Sequence, residues 1–180
     1  MAELAITRNR WVYFMAYFGI MGILLIVHLL PISIGTERLP WPDLMIMVTF
    51  AWVLRRPQYV PTTLVALVFL IADLLLMRPI GLWAALMVVG VEFLRFREPA
   101  MREQLFPLEW VTVSLLLVLL TIANRIVLAL AFVPQGAFGL TVIQLVLTIL
   151  TYPVIVLISR FGFNVLKMTP NETDARGRPR

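Results

Sequence analysis

Six apolar runs, each closed by proline or arginine, fill nearly the whole chain and constrain its fold more than any other feature. The first spans Trp11–Leu30 and stops at Pro31; the second, Pro42–Leu54, stops at Arg55-Arg56-Pro57. The third, Val60–Met77, ends at Arg78-Pro79, and the fourth, Ile80–Leu94, at Arg95, Arg97, Glu98 and Pro99. The fifth covers Trp110–Val133 with Pro134-Gln135-Gly136 as its turn, and the sixth covers Leu140–Ser159. With 61% hydrophobic and 14% charged residues in 180 positions, a soluble domain would have too little interior to hide this much apolar surface. The expectation is an all-α, polytopic membrane helical bundle over residues 1–168. A polar tail, 169–180, has too few apolar residues to fold and is expected to be disordered.

The charges set the orientation. With the amino terminus inside, the inner side receives Arg8, Arg10, Arg55, Arg56, Arg95, Arg97, Arg102, Arg160, Lys167, Arg176, Arg178 and Arg180, and the outer side only Arg38 and Arg78. The positive-inside rule then orients the six expected transmembrane helices with both termini in the cytoplasm, as in an inner-membrane protein. The first run follows Arg8 and Arg10 as a signal peptide would, but it is too long and reads as an anchor that stays. The net charge of +5 is spread between spans and along the tail, so it does not argue for nucleic acid. The second span is short, about 20 Å against a hydrocarbon core of about 30 Å, and is expected to pack centrally where protein covers its ends.

Polar residues inside the spans are the candidate functional positions, because an ionised side chain near a helix centre costs about 2.5–3.5 kcal/mol on insertion scales. Asp73 in the third span and Arg125 in the fifth fall at similar depth. The expectation is a mutual pair or a shared watery cavity, either locking two helices or serving a carrier. Ser114, Thr121 and Arg125 share one face of the fifth helix, and Thr141, Gln144, Thr148 and Thr151 one face of the sixth. Such stripes glue helices through interhelical hydrogen bonds or line a pocket, and Asn124 serves either role. Asp43, after Pro42, is helix-start chemistry. Arg55-Arg56-Pro57 is a stop signal whose arginines also suit anionic lipid head groups or a cytoplasmic partner. Glu92 and Arg95 are spaced for a local pair, and His28 is placed to hydrogen-bond near the start of the second span. Trp11, Trp41, Trp83 and Trp110 read as interfacial anchors.

Catalytic signatures are lacking. Cysteine is absent, one histidine cannot build a metal site, and no HExxH, GxSxG or phosphate loop occurs. Neither a cofactor nor an enzymatic activity is expected.

Two segments carry a resemblance. Pro42-Asp43, an apolar stretch and Trp52-Val53-Leu54-Arg55-Arg56-Pro57, followed by Asp73-Leu74-Leu75-Leu76 and Arg78-Pro79-Ile80-Gly81-Leu82-Trp83, resemble the PDL…W-x-L-R-R-P and D-L-L…P-L-G-L patterns of the rod shape-determining protein MreD family. Leu70-Ile71-Ala72 departs from that pattern, which often has glycine just before the aspartate. The resemblance implies a non-enzymatic subunit of the bacterial rod complex, or elongasome. It would bind the bitopic protein MreC and help couple MreB filaments to the peptidoglycan polymerase RodA and its transpeptidase. Pro42, Asp43, Arg55, Arg56, Pro57, Asp73, Pro79 and Gly81 would fix the fold and the partner surface. The family is similar in size and span count to the substrate-binding subunits of energy-coupling-factor transporters. A vitamin-type, small-molecule binding subunit is therefore the alternative, although the AxxxA-type contact of those subunits is missing from the first span.

Overall fold

The computed structural model describes residues 2–30, 41–101 and 105–162. Glu37 and Arg38 in the first connection, Arg102 and Glu103, Lys167 and the 169–180 tail lie outside them. The described residues form six α-helices and no strand: α1 Ala2–Leu29, α2 Leu44–Arg55, α3 Thr62–Leu75, α4 Leu82–Met101, α5 Phe106–Leu130 and α6 Phe138–Gly162, with a 3-10 turn at Pro57–Tyr59. Three of them, through Trp11–Leu29, Phe106–Leu130 and Phe138–Ser159, are long and apolar enough to cross a membrane. The helices α2 and α3 are apolar but short, at 12 and 14 residues or roughly 18 and 21 Å.

The short α2 forms the centre. Its sequence is apolar on every side, the pattern of a helix with no solvent face, and Met45 through Arg55 are all buried. Helices α1, α4 and α6 pack around it, α3 lies on α4, and α5 bridges α4 and α6. Tyr17 of α1 is fully buried and its hydroxyl lies 2.8 Å from Thr49 Oγ1. Because the Thr49 proton is spent on the Met45 carbonyl at 2.7 Å, Tyr17 is the donor. Tyr13 stacks on Tyr59 at 4.1 Å and meets Trp52 edge-on, fixing α1 at the end where α2 finishes. At Gly90, an added Cβ would lie 2.9 Å from Leu120 Cδ1 and 3.3 Å from Phe50 Cζ. Glycine there lets α4 approach both α2 and α5.

Several boundaries differ from the apolar pattern. Helix α4 continues through Arg95, Arg97, Glu98 and Pro99 to Met101, and α1 starts well before Trp11. Charge ends an apolar run but not a helix. Helices α2, α3 and α5 end where proline or a left-handed residue interrupts the hydrogen-bond ladder, whereas Pro99 and Pro153 are accommodated inside α4 and α6. Pro57 ends α2 in that way, since Arg56 N reaches Trp52 O at 2.7 Å and the 3-10 turn follows. Helices α3 and α5 end instead on Met77 (φ 52°) and Phe132 (φ 54°). Arg78 N donates to Asp73 O and Val133 N to Leu128 O, each at 3.0 Å, the 6→1 bond of a Schellman motif.

Candidate functional site: buried charges and a polar cleft

Asp73 is fully buried, and its partner is a helix end rather than an arginine. Its Oδ2 accepts from Gly81 N at 3.1 Å and Ala84 N at 3.2 Å, so a side chain from the last turn of α3 caps the start of α4. Gly81 reaches this position with φ +85°, a left-handed conformation that costs other residues more. The Schellman turn, Pro79 and Gly81 together bring the first amides of α4 over the carboxylate. Asp73 Oδ1 is buried without a hydrogen-bond partner among the described residues.

Of the two expected arrangements, a mutual pair or a shared cavity, the pair of Asp73 with Arg125 does not form, and neither residue lines the polar cleft. Arg125 is partly exposed, not buried. Its Nε donates to Gln135 Oε1 at 3.0 Å and its Nη2 to the Gly136 carbonyl at 2.7 Å, while Gln135 Nε2 returns a bond to Arg125 O at 3.0 Å. The guanidinium also lies 5.1 Å from the Phe138 ring centroid. Arg125 therefore ties down the α5–α6 connection. Similar positions along their runs did not bring the two together, because α3 and α5 each pack chiefly on α4 rather than on each other.

A buried ion pair lies where α2 ends. Arg55, 5% exposed, donates from Nη1 to Ala51 O at 3.0 Å, and its Nη2 sits 3.1 Å from Glu109 Oε1. Tyr152 donates its hydroxyl to the same oxygen at 3.0 Å, so α2, α5 and α6 meet on one carboxylate. Arg55 is thus not placed for lipid head groups or a surface partner. Burial moves it from the candidate interface to the core. Sequence reasoning missed Glu109 and Tyr152. The available signal was that Glu109 is a carboxylate just after Pro107, at the end of the fifth run nearest Arg55 in depth. The sequence-spaced pair of Glu92 and Arg95 does form, at 3.8 Å. Glu92 also accepts from the Thr62 hydroxyl, and Arg95 donates to Val60 O, closing the α3–α4 hairpin at this end.

The hydroxyl stripes do not glue helices as expected. Ser114, Thr121, Thr148 and Thr151 donate to the carbonyls of Trp110, Leu117, Gln144 and Leu147 in their own helices at 2.7–2.8 Å. In an apolar surrounding, the i−4 carbonyl is the nearest acceptor. Only Thr148 of these four reaches across, its oxygen accepting from Asp43 N at 3.1 Å. Asp43 in turn caps α2, its Oδ1 accepting from Ile46 N at 3.3 Å. Trp110, expected as an interfacial anchor, donates its indole N–H to Ile149 O at 2.9 Å. That carbonyl lacks its helical donor because Pro153 sits four residues on. Trp11 and Trp41 are exposed, as is His28.

Between the starts of α2, α4 and α6 and the second half of α5 lies a cleft of about 270 Å³. Asp43, Arg78, Thr121, Asn124, Gln144 and Thr148 supply its polar lining, and Trp83, Leu117, Leu128 and Leu145 are among its apolar walls. The two stripes therefore contribute to a pocket, with Asn124 in it and Arg125 and Ser114 not among its lining. Arg78 was legible only as a stop signal.

Among the described residues, no group of three or more His, Cys, Asp or Glu is placed to hold a metal ion. Comparison of the chain with protein-family models, with curated proteins and with solved structures gives no match.

Proposed function

We propose that this chain is a six-span inner-membrane protein with both ends in the cytoplasm, acting as a non-enzymatic subunit of the bacterial rod complex. In this reading it binds a bitopic MreC-like partner. The observation that carries it is where the MreD-like residues sit. Asp43 caps α2, Arg55 locks the end of α2 to α5, and Asp73 with Gly81 caps α4. They build a stiff centre around α2 and leave the outer helices apolar and exposed, including Met15, Ile23 and Ile26 of α1 and Leu115, Leu119 and Ile122 of α5. A partner with one transmembrane helix needs such a face, and packing in lipid rewards a rigid one. Three further helices of mixed length complete the six spans, with α2 and α3 short because their ends are covered by protein or water. Pro42, Arg56, Pro57 and Pro79 lie at least partly accessible at the two ends of this centre.

The test is co-purification of the full chain with an MreC-like protein from membranes, together with rounding of rod-shaped cells on depletion. Intact rods after depletion overturn the assignment. Cysteines at position 37 and in the tail are expected to label from opposite sides of the membrane, and same-side labelling defeats the topology. The polar cleft favours a second reading, a small-molecule binding subunit of a membrane transporter, which predicts a ligand retained through purification.

A further inference from the structure

The cleft between α2, α4, α5 and α6 holds one cationic and one anionic side chain that do not neutralise each other. Arg78 makes neither an ion pair nor a hydrogen bond through its side chain among the described residues, and the Asn124 and Gln144 carboxamides are likewise unengaged there. Asp43 is anchored by its bond from Ile46 N, which uses Oδ1 and leaves Oδ2 without a described partner. In a low-dielectric setting, opposite charges with freedom to move find each other. Here the cap holds the carboxylate on α2, while Arg78 belongs to the α3–α4 turn fixed by the Schellman bond at 3.0 Å. Asp43 and Arg78 therefore line one pocket without forming an ion pair with each other. Thr121 and Thr148 have spent their protons on their own helices, so they present lone pairs.

From this arrangement we infer that the cleft binds a small zwitterion, with an oxyanion on Arg78 and an ammonium on Asp43. Asn124 and Gln144 supply donors and acceptors between the two. A simple anion would gain Arg78 but face Asp43, and a simple cation the reverse. A ligand carrying both charges satisfies both. The volume of about 270 Å³ lies just below the usual range of small-molecule sites and suits a compact head group. Two sources supply this chemistry: a free amino-acid-like molecule, or the phosphoethanolamine head of a membrane lipid. This inference stands on the cleft and does not depend on assembly in a rod complex.

The full chain, purified in detergent, is titrated with O-phosphoethanolamine and with glycine, using inorganic phosphate, acetate and ethanolamine as single-charge probes and tryptophan fluorescence as the readout. In parallel, the chain in nanodiscs of phosphatidylethanolamine mixed with phosphatidylglycerol is analysed for retained lipid. Saturable binding of a soluble zwitterion, about tenfold tighter than either half alone, supports a free ligand. Selective retention of phosphatidylethanolamine without soluble binding supports the lipid head. Both require that Arg78→Gln and Asp43→Asn each weaken binding about tenfold. Asparagine caps a helix as well as aspartate does, so Asp43→Asn removes the charge without removing the cap. An unchanged melting temperature in Arg78→Gln, with partner co-purification intact, separates this site from the scaffold reading. Single-charge probes binding as tightly as the zwitterion overturn the inference. So does Asp43→Asn leaving affinity unchanged, or the lack of saturable binding from either source.

Discussion

Replacing Glu109 with glutamine isolates the energetic role of the buried ion pair. The side chains of Arg55 and Glu109 are 6% and 1% exposed, with nitrogen and oxygen 3.1 Å apart. At that separation the attraction is about 5 kcal/mol with an effective dielectric constant near 20. Glutamine keeps an oxygen in place for the Tyr152 hydroxyl, so the neutral hydrogen bond at 3.0 Å is largely retained. What is lost is the counter-charge, leaving a buried guanidinium whose Nη1 still donates to Ala51 O. Breaking a buried pair from one side costs about 3–5 kcal/mol, because the surviving ion stays desolvated. Replacing all members by apolar residues of similar volume removes that penalty, and Arg55→Met with Glu109→Leu and Tyr152→Phe is expected to fall within about 1–2 kcal/mol of the original chain. Reversible unfolding in mixed micelles, followed by tryptophan fluorescence, measures both. Glu109→Gln within about 1 kcal/mol of the original refutes the argument, as does a triple variant as unstable as the sum of its single changes.

Three further substitutions test the local devices. Asp73→Asn keeps one acceptor over α4 but loses the charge facing the helix dipole. About 1 kcal/mol of stability should be lost, with faster hydrogen exchange at the Gly81 and Ala84 amides, and unchanged exchange there contradicts the cap. Trp110→Phe leaves the Ile149 carbonyl without a donor at a cost of about 1–2 kcal/mol. Adding Pro153→Ala restores a backbone N–H and should recover part of it, so strict additivity in unfolding measurements argues against the link. Gly90→Ala places a methyl 2.9 Å from Leu120 Cδ1 and should cost about 1–3 kcal/mol; a melting temperature equal to the original chain's would show that the helices can move apart freely.

The helical class was legible because apolar runs of this length leave few alternatives, and the burial of α2 followed from its shortness and its lack of a polar face. Asp43 beside Pro42 was recognisable as helix-start chemistry, since a cap depends on residues three apart. Asp73 could be singled out as a buried carboxylate but not assigned a partner. Two charges at similar positions along their runs predict an ion pair only when their helices are neighbours, and α3 and α5 pack chiefly on α4 instead. Arg55 was misjudged for a related reason. An arginine at the end of an apolar run usually marks the membrane boundary, and only the tertiary arrangement brings Glu109 of α5 and Tyr152 of α6 to it.

What the amino-acid order determined by itself is local: where apolar runs start and stop, which residues can cap or terminate a helix, and that charged side chains within those runs require partners. What the tertiary structure decided is which partners they have. Asp73 could have met Arg125 or a row of amides, and Arg78 could have been a bare stop signal or one wall of a cleft. The same runs are compatible with several arrangements of neighbouring helices. Adjacency is set by close packing among all six, such as the approach that Gly90 permits, and no single segment encodes it.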